Sequence, residues 1–355
     1  MRKIKKIPVC LVLLLTALLV AMPATAAAGE MPPVNVKKIL FDHVKDRYEW
    51  HITSIGEQEI VIPLPVILYS SRAGWNIVPS SVFRENGQYN GFYVAAEGDN
   101  EGKIVERDAT GREVRPFDIS LTKTALSLLI NSLLLILIIL GVARWYRGKK
   151  VSDKAPRGFV GMMEMFVMMV NDDIIKCNVG KDYRRYAPYL LTAFFFIFFN
   201  NLMGILPIFP GGANVTGNIA ITFFLALCTF IAVNVFGTRE YWKEIFWPDV
   251  PAWLKVPVPL LPFVEFFGIF TKPFALMIRL FANIFAGHTA ILAFMCVIFI
   301  TASMGPALCG SMSVVSVLLS IFMNALEFLV AFIQAYVFTL LSSVFIGLSR
   351  VEHKK

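Results

Sequence analysis

The stretch FALMIRLFANIFAGH, Phe274–His288, lies inside an apolar segment that runs from about Leu260 to Ile300. Its arginine, Arg279, keeps its proton, because the pKa of a guanidinium group exceeds about 12. An ionisable group inside a membrane is costly, and it usually faces the protein interior or water, where it often marks an ion pathway. The stretch therefore indicates a membrane helix that carries a fixed positive charge for a functional reason.

The composition of the whole chain agrees with a membrane protein. Of its 355 residues, 57% are hydrophobic and only 16% are charged, whereas soluble proteins carry about 25% charged residues. The net charge of +8 does not indicate a nucleic-acid partner, because the basic residues cluster at the ends of apolar spans, where they orient a membrane protein. The five cysteines fit neither a disulfide framework nor a zinc pattern, so we expect no metal and no cofactor.

The N-terminal third differs from the rest of the chain. Residues 1–26 have a basic start, an apolar run and small residues around Ala24–Ala26, which predicts a signal peptide; an uncleaved anchor helix is the alternative. Residues 27–118 are polar and contain short β-like runs punctuated by Gly, Asn and Asp, which predict a small β-rich exported domain. These runs are Tyr48–Thr53, Glu59–Ser70, Trp75–Phe83, Gly91–Ala95 and Lys103–Arg107.

Residues 119–355 predict an all-α polytopic membrane domain with five transmembrane helices. A helix needs about 20 apolar residues to cross ~30 Å of hydrocarbon, and the last two segments are longer, so they must tilt strongly or lie partly in the membrane plane. The predicted spans are Thr124–Ala143, Ala187–Ile208, Ile219–Gly237, Leu260–Ile300 and Val314–Leu348. Met-rich Phe159–Ile175 predicts an amphipathic helix on the inner surface or packed against its neighbours.

The loops predict the orientation in a bacterial inner (plasma) membrane. The loops PGGANVTGN and TASMGPALCGSM carry no charge, and the charged loops all fall on the opposite side. Lys and Arg are enriched in cytoplasmic loops. We therefore expect a periplasmic or external N-terminal domain and a cytoplasmic C-terminus.

Few ionisable groups lie far from a loop, and helical spacing sorts them into two stripes. Glu265 precedes Arg279 by fourteen residues, which returns to within ~40° of the same helix face. Asn283 follows Arg279 by one turn, whereas His288 looks toward a different neighbour. The alternative to an ion pathway is a buried salt bridge of Arg279 that holds two helices together.

The second stripe lies on the last predicted helix. Glu327 and Gln334 are seven residues apart and share a face, and Asn324 precedes Glu327 by about one turn. His288 and Glu327 titrate, or can be tuned to titrate, in a useful range, so they are candidate members of a proton relay.

These residues occur in motifs that resemble subunit a of F-type ATP synthases. RLFANIFAGH, with Pro273 and Glu265 before it, resembles the signature of that family. NALEFLVAFIQAYVFTLL resembles its last helix, and NNLMGILP resembles its first buried-helix motif. The resemblance extends over about residues 119–350.

The resemblance implies a stator that faces a rotating ring of c subunits, each with one carboxylate, in a complex that includes a b subunit. It implies that Arg279 is the family's arginine, with Asn283, Gln334 and Glu265 at the matching polar positions. Some members of the family have Glu at the position of His288 and His at the position of Glu327. This sequence has the exchanged arrangement, which is known in other members. The resemblance thus implies two half-channels that couple proton flow to ATP synthesis.

The chain itself is expected to be non-catalytic, because it has no GxxxxGK[ST] nucleotide motif. One alternative is a secondary transporter that binds an anionic substrate at Arg279, but such folds tend to show repeats and broken helices. Another is a membrane anchor for the β-rich domain, which leaves the polar stripes unexplained. The sequence leaves open whether the ion is H⁺ or Na⁺.

Overall fold

The structure is a computed structural model that describes residues 46–55, 58–96, 98, 100–108, 111–150, 154–206, 211–246, 260–302 and 304–350. The predicted signal peptide lies outside these residues. The chain forms two compact units. The described part of one unit is Gly287–Leu326, and the other unit contains all the remaining described residues.

The N-terminal region consists of short antiparallel strands around one small helix. The strands form three sheets, ordered β1-β2, β4-β3-β9 and β5-β6-β7-β8. The elements are β1 (Glu49–Ile55), β2 (Gln58–Pro63), β3 (Pro65–Ser70), β4 (Gly74–Pro79), α1 (Ser81–Asn86), β5 (Gln88–Tyr89), β6 (Phe92–Val94), β7 (Ile104–Arg107), β8 (Glu113–Val114) and β9 (Phe117–Asp118).

Two predicted strands differ from the structure. The run Glu59–Ser70 is divided at Leu64, because Pro63 and Pro65 have no N–H group with which to continue a ladder. Leu64 instead exchanges hydrogen bonds with Ser80, donating its N–H to Oγ at 3.1 Å and accepting from the backbone N–H at 2.9 Å. The run Trp75–Phe83 ends as a strand at Pro79 and continues as α1, which contributes Phe83 to the core.

The core of this region lies between two of its sheets. Its buried side chains alternate along β3 and β4, as a half-buried sheet requires. They pack with residues from α1, β6 and β7, and the cluster consists of Val66, Leu68, Val78, Phe83, Phe92 and Ile104. The β-rich region therefore has its own hydrophobic centre.

The described residues from Lys123 onward are mainly helical. After α2 (Lys123–Tyr146) come α3 (Phe159–Met168), a π-helix (Met169–Lys176), single turns at Cys177–Val179 and Gly180–Asp182, α4 (Tyr183–Ile205), α5 (Ile219–Asn234), α6 (Arg239–Phe246), α7 (Leu260–Ala302) and α8 (Pro306–Ser349). Within the described residues, four helices are long and apolar enough to cross a membrane, and α5 with α6, bent by 98°, adds a fifth if the pair counts as one span. The chain is a mostly helical, multi-pass membrane protein with a β-rich N-terminal region.

The Met-rich segment packs against its neighbours, which is one of the two arrangements that the sequence predicted. In α3 and the π-helix, one side is buried in the core through Val170, Ile174 and Ile175. The opposite side exposes Met165 and Met168, which are also apolar. The exposed residues of the π-helix include Asp173 and Lys176, so the outer side of the segment is mixed and its inner side is apolar.

α7 has about the predicted length, whereas α8 begins eight residues before the predicted Val314, so the loop between them is shorter than predicted. α7 has 43 residues and α8 has 44, so each is about 65 Å long at 1.5 Å per residue. The predicted loop TASMGPALCGSM is largely helical, since α7 ends at Ala302 and α8 begins at Pro306. Gly305 supplies the positive φ of 119° at this junction.

The helical core of the larger unit centres on α4. Phe194, which is fully buried, packs its ring against those of Phe166, Phe198 and Phe332 at centroid distances of 6.0 to 6.4 Å. α7 and α8 contribute further buried apolar residues to the same cluster. This packing determines which side of α7 and of α8 is buried within this unit, and hence which of their polar residues are buried and which are exposed.

Candidate functional site

Arg279 lies on an exposed face of α7. One side of this helix packs into the core through Leu276, Leu280 and Ile284, which are at most 4% exposed. Arg279 and Asn283, one turn apart, are both exposed. A charged side chain on the outer surface of a membrane helix requires a polar or charged partner there, because lipid supplies none.

Small residues surround Arg279 on its face of the helix. Ala275, Ala282 and Ala286 stand four residues before, three after and seven after the arginine, and all three are exposed. Small residues at such spacing let the backbone of a neighbouring membrane helix approach closely. The arginine face is therefore shaped to receive another helix, whereas the exposed side of α7 that carries Phe263 and Phe274 suits lipid.

The side chains of Glu265 and Lys272 both approach Gly268 near the start of α7. A Cβ atom at Gly268 would lie 3.9 Å from Oε2 of Glu265 and 4.0 Å from Nζ of Lys272. The Glu265 carboxylate and the Lys272 ammonium group therefore lie beside the same backbone position.

A small cavity beside Lys272 holds further polar groups. Its volume is about 20 Å³, and its lining includes Lys272, Tyr241, Asn234 and Thr229. A water molecule requires ~10–15 Å³ and several polar partners, so the cavity has room for one. The Tyr241 hydroxyl donates to Oδ1 of Asn234 at 3.2 Å, which joins α6 to α5 at this cavity.

Glu327 and Gln334 lie on the buried face of α8. They are 5% and 6% exposed, and Ala331 between them is fully buried. Buried carboxyl and amide groups at membrane depth are expensive. Glu327 and Gln334 share one face of α8, as their seven-residue spacing predicted, and in the structure that face is buried.

Asn201 is a polar residue that sequence reasoning did not single out. Its Nδ2 donates to the backbone oxygen of Ala331 at 3.3 Å, one turn from both Glu327 and Gln334. Its Oδ1 accepts a hydrogen bond from the hydroxyl of Thr216, which precedes α5. Asn201 therefore joins α4 to the polar stripe of α8, and its position in the NNLMGILP motif was the available signal.

A second polar contact joins α2 to α4. Nδ2 of Asn131 donates to Oδ1 of Asn200 at 3.1 Å and to Oγ of Ser127 at 3.3 Å, and all three residues are buried. Asn131 lies in the middle of an apolar span, which could have marked it. These amides extend the polar interior of the helical region to its first helix.

The third contact lies further along α8. The hydroxyl of Thr229 on α5 is 2.8 Å from that of Tyr189 and 3.2 Å from that of Ser342. Hydroxyl groups can both donate and accept, so the hydrogen bonds among these three hydroxyls can run in either direction. It brings α4, α5 and α8 together.

The predicted site residues thus separate into groups. Arg279 and Asn283 share the exposed face of α7, Glu265 is half-buried near its start, and Glu327 and Gln334 share the buried face of α8. His288 belongs to the other unit, where it is half-buried on α7.

Known protein families match most of the chain. The family described as ATP synthase A chain matches residues 128–347, and a domain of unknown function matches residues 39–121. The chain is 41% identical to ATP synthase subunit a of Chloroherpeton thalassium over 68% of this chain and 70% of that protein. It is 41% identical to ATP synthase subunit a of Chlorobium phaeobacteroides over 67% of each chain. It is 42% identical to ATP synthase subunit a of Anaeromyxobacter dehalogenans over 66% of this chain and 59% of that protein.

Proposed function

The chain belongs to the family of F-type ATP synthase a subunits, and we propose that it conducts protons between two half-channels and the carboxylates of a rotating c-ring. Members of this family form the proton channel of the complex and are not themselves catalytic. The observation that carries the proposal is the exposed Arg279 among small residues on α7. Proton flow past this residue would drive rotation, and ATP would be made elsewhere in the complex.

The proposed role of Arg279 is electrostatic. At 4 Å and an effective dielectric constant of 20, its attraction for an ionised carboxylate is ~4 kcal/mol. A ring carboxylic acid that reaches the arginine would therefore release its proton. Because Arg279 keeps its own proton, it would also prevent protons from passing directly between the half-channels.

The outer half-channel is proposed to follow the polar stripe of α8. Glu327 and His288 would both carry protons in this path, and Gln334 and Asn283 would line it. Asn201 would hold this stripe in place through its bond to Ala331. The buried position of Glu327 and Gln334 supports this assignment.

The inner half-channel is proposed to pass Glu265. The approach of Lys272 to the same backbone position, and the adjacent cavity with Lys272, Tyr241 and Asn234 in its lining, support a hydrated route there. Each proton that crosses 100 mV supplies about 2.3 kcal/mol. Several protons are therefore needed for each ATP, and a ring with several carboxylates provides them.

The assembly that we propose includes the c-ring on the arginine face, subunit b and the remaining ATP synthase subunits. The chain would lie in a bacterial inner membrane, with the β-rich domain external and the C-terminus cytoplasmic. A signal peptide at 1–26 would export that domain (residues 27–118).

Replacement of Arg279 by alanine tests the proposal. Inverted membrane vesicles with Arg279→Ala should lose proton-driven ATP synthesis and ATP-driven acidification, because no fixed charge would ionise the ring carboxylate. Co-purification of the variant with the other subunits should be unchanged, since Arg279 is exposed and no core packing is removed.

Arg147→Ala is the matched control. Arg147 is also an exposed arginine, but it follows the end of α2. Its replacement should leave both activities intact. Normal ATP synthesis by the Arg279→Ala variant would refute the proposed role.

A further inference from the structure

The sheet β4-β3-β9 has one buried face and one exposed apolar face. Val66, Leu68 and Val78 on the inner face are at most 8% exposed. On the outer face, Trp75 is 61% exposed and Ile77 is 70% exposed. Such side chains normally face inward, so the outer face requires an explanation.

The outer apolar residues form ordered rows across the three strands. Tyr69 is opposite both Trp75 and Phe117, so these three rings form one row. The rings of Tyr69 and Trp75 lie 5.1 Å apart. We call this face, with the two rows below, the outer sheet face.

Two further rows continue the face toward the membrane helix. Ile67 is opposite Ile77, and the N–H of Ile119 donates to the Ile67 oxygen at 3.0 Å. Pro65 is opposite Pro79, and the N–H of Leu121 donates to the Pro65 oxygen at 3.1 Å. An aromatic ring offers roughly 150–250 Å², so the exposed aromatic and isoleucine side chains together form a patch of several hundred Å².

Hydrogen bonds also hold the segment before β1 next to the start of α2. The N–H of Lys123 donates to the oxygen of Arg47 at 2.9 Å, and the N–H of Thr124 donates to Oδ1 of Asp46 at 3.0 Å. Leu121, in the last row, precedes the N-cap Thr122 by one residue. The sheet is thus attached directly to the first residues of a membrane helix.

The length of α2 gives the depth of this junction. Its 24 residues span about 36 Å at 1.5 Å per residue, whereas the hydrocarbon core is ~30 Å thick. Each end of α2 therefore reaches the headgroup region. Leu129 and Leu133, which are 59% and 58% exposed, show that the first half of α2 has a lipid-facing side.

We propose that the outer sheet face lies on the bilayer and inserts its aromatic and isoleucine side chains into the headgroup region of the outer leaflet. Trp and Tyr are enriched at this depth because their rings are apolar and their polar atoms reach water. The lipid-facing surface of α2 and the outer sheet face would then form one continuous contact with lipid. The β-rich domain would brace the start of α2 against the membrane.

The charge of the domain predicts which lipids matter. Residues 46–121 contain twelve acidic and seven basic residues, a net charge of −5. Attraction to anionic headgroups therefore cannot hold the domain on the membrane. Apolar insertion should hold it equally well on zwitterionic lipid.

Spin labelling of the full-length chain in nanodiscs tests this proposal. Ile77→Cys, on a background with the native cysteines replaced by alanine, places a label on the outer sheet face without removing core packing. Val94→Cys is the matched control, because Val94 is 40% exposed on a strand of a different sheet. In phosphatidylcholine nanodiscs, the ratio of collisions with oxygen to collisions with a water-soluble nickel chelate should be several-fold higher at 77 than at 94.

Three results would overturn the proposal. Equal ratios at 77 and 94 would mean that the face is in water. Protection of the label at 77 from both reagents would mean that protein covers the face, either a second copy or another subunit. A raised ratio at 77 only in nanodiscs with anionic phosphatidylglycerol would mean that charge, not apolar insertion, holds the domain.

Discussion

At the scale of single residues, Tyr48 and Asp118 form a contact that ties two ends of the β-rich region together. The Tyr48 hydroxyl donates to Oδ2 of Asp118 at 2.5 Å, and the other carboxylate oxygen accepts from the N–H of Ser120 at 2.8 Å. A hydrogen bond to a charged group contributes about 1.5–3 kcal/mol. The contact joins the residue before β1 to β9, next to the membrane helix.

Tyr48→Phe should therefore destabilise the β-rich region by about 1.5–3 kcal/mol, since the ring stays and only the hydroxyl is lost. Trp50, which is 3% exposed, can report unfolding by denaturant if it is the sole tryptophan of the variant. Tyr69→Phe is the control, because that ring is on the exposed face. Equal midpoints for the Tyr48 and Tyr69 variants would show that the Asp118 contact adds no stability.

The same residue predicts a pH dependence. Burial, and then the hydrogen bond to the Asp118 carboxylate, raises the pKa of Tyr48 well above its ordinary value. A raised pKa in the folded state means that the contribution is fully present below the unfolded pKa of about 10 and is lost as pH rises above it. The Trp50 unfolding midpoint should fall above pH 10 in the parent and fall less steeply in Tyr48→Phe; parallel curves would contradict this assignment.

Sequence reasoning reached some of these residues and not others. Arg279 was identifiable because a charge in an apolar run is visible without a structure. The exposure of Arg279 could not be predicted, because it depends on which side of α7 packs against the core. The bond between Tyr48 and Asp118 joins residues 70 positions apart, and spacing within one element cannot predict such a pair.

At the scale of elements, the helices were more predictable than their junctions. Apolar length predicted α7 to within a few residues of Leu260–Ala302. The loop after it was predicted too long, because uncharged Gly- and Ser-containing sequence in a membrane can be helical as well as irregular. The polar contacts between helices, such as Asn201 with Ala331, require the relative rotation of two helices, which sequence periodicity does not give.

Asn201→Leu should weaken the junction between α4 and α8. The substitution removes the donor to the Ala331 oxygen and leaves the buried hydroxyl of Thr216 without its acceptor, which costs about 1–3 kcal/mol. If the stripe of α8 conducts protons, ATP-driven acidification of membrane vesicles should fall even at equal assembly. Thermal stability of the purified complex should fall as well.

Asn324→Leu is the control for this element. Asn324 also lies on α8, and its spacing grouped it with Glu327, but Asn324 is exposed whereas Glu327 and Gln334 are buried. Its Nδ2 donates to the oxygen of Ser320 in its own helix. Its replacement should leave acidification close to normal. Equal losses in both variants would show that the effect is not specific to the junction of α4 and α8.

At the scale of the whole molecule, the end of α8 joins segments that are far apart in sequence. The guanidinium of Arg350 donates from Nη2 to Oδ2 of Asp182 at 2.5 Å and from Nη1 to the oxygen of Phe236 at 3.0 Å. The N–H of Thr238 donates to the Ser349 oxygen at 2.9 Å. The chain end thus connects the turn before α4 to the segment after α5.

Arg350→Ala should destabilise the complex only modestly. The side chains of Arg350 and Asp182 are 21% and 46% exposed, and an exposed ion pair contributes about 0–1 kcal/mol. The bond to Phe236 adds about 1 kcal/mol.

The double variant with Asp182→Ala separates the contribution of the ion pair from that of the Phe236 bond, because only the ion pair depends on Asp182. In a thermal-unfolding cycle, Arg350→Ala should still destabilise the Asp182→Ala chain, because it removes the Phe236 bond and the contact of the guanidinium with the Tyr186 ring, 5.9 Å from its centre. If Arg350→Ala has no effect in that background, the bond to the Phe236 carbonyl contributes nothing, and the ion pair alone fastens the C-terminal end of α8.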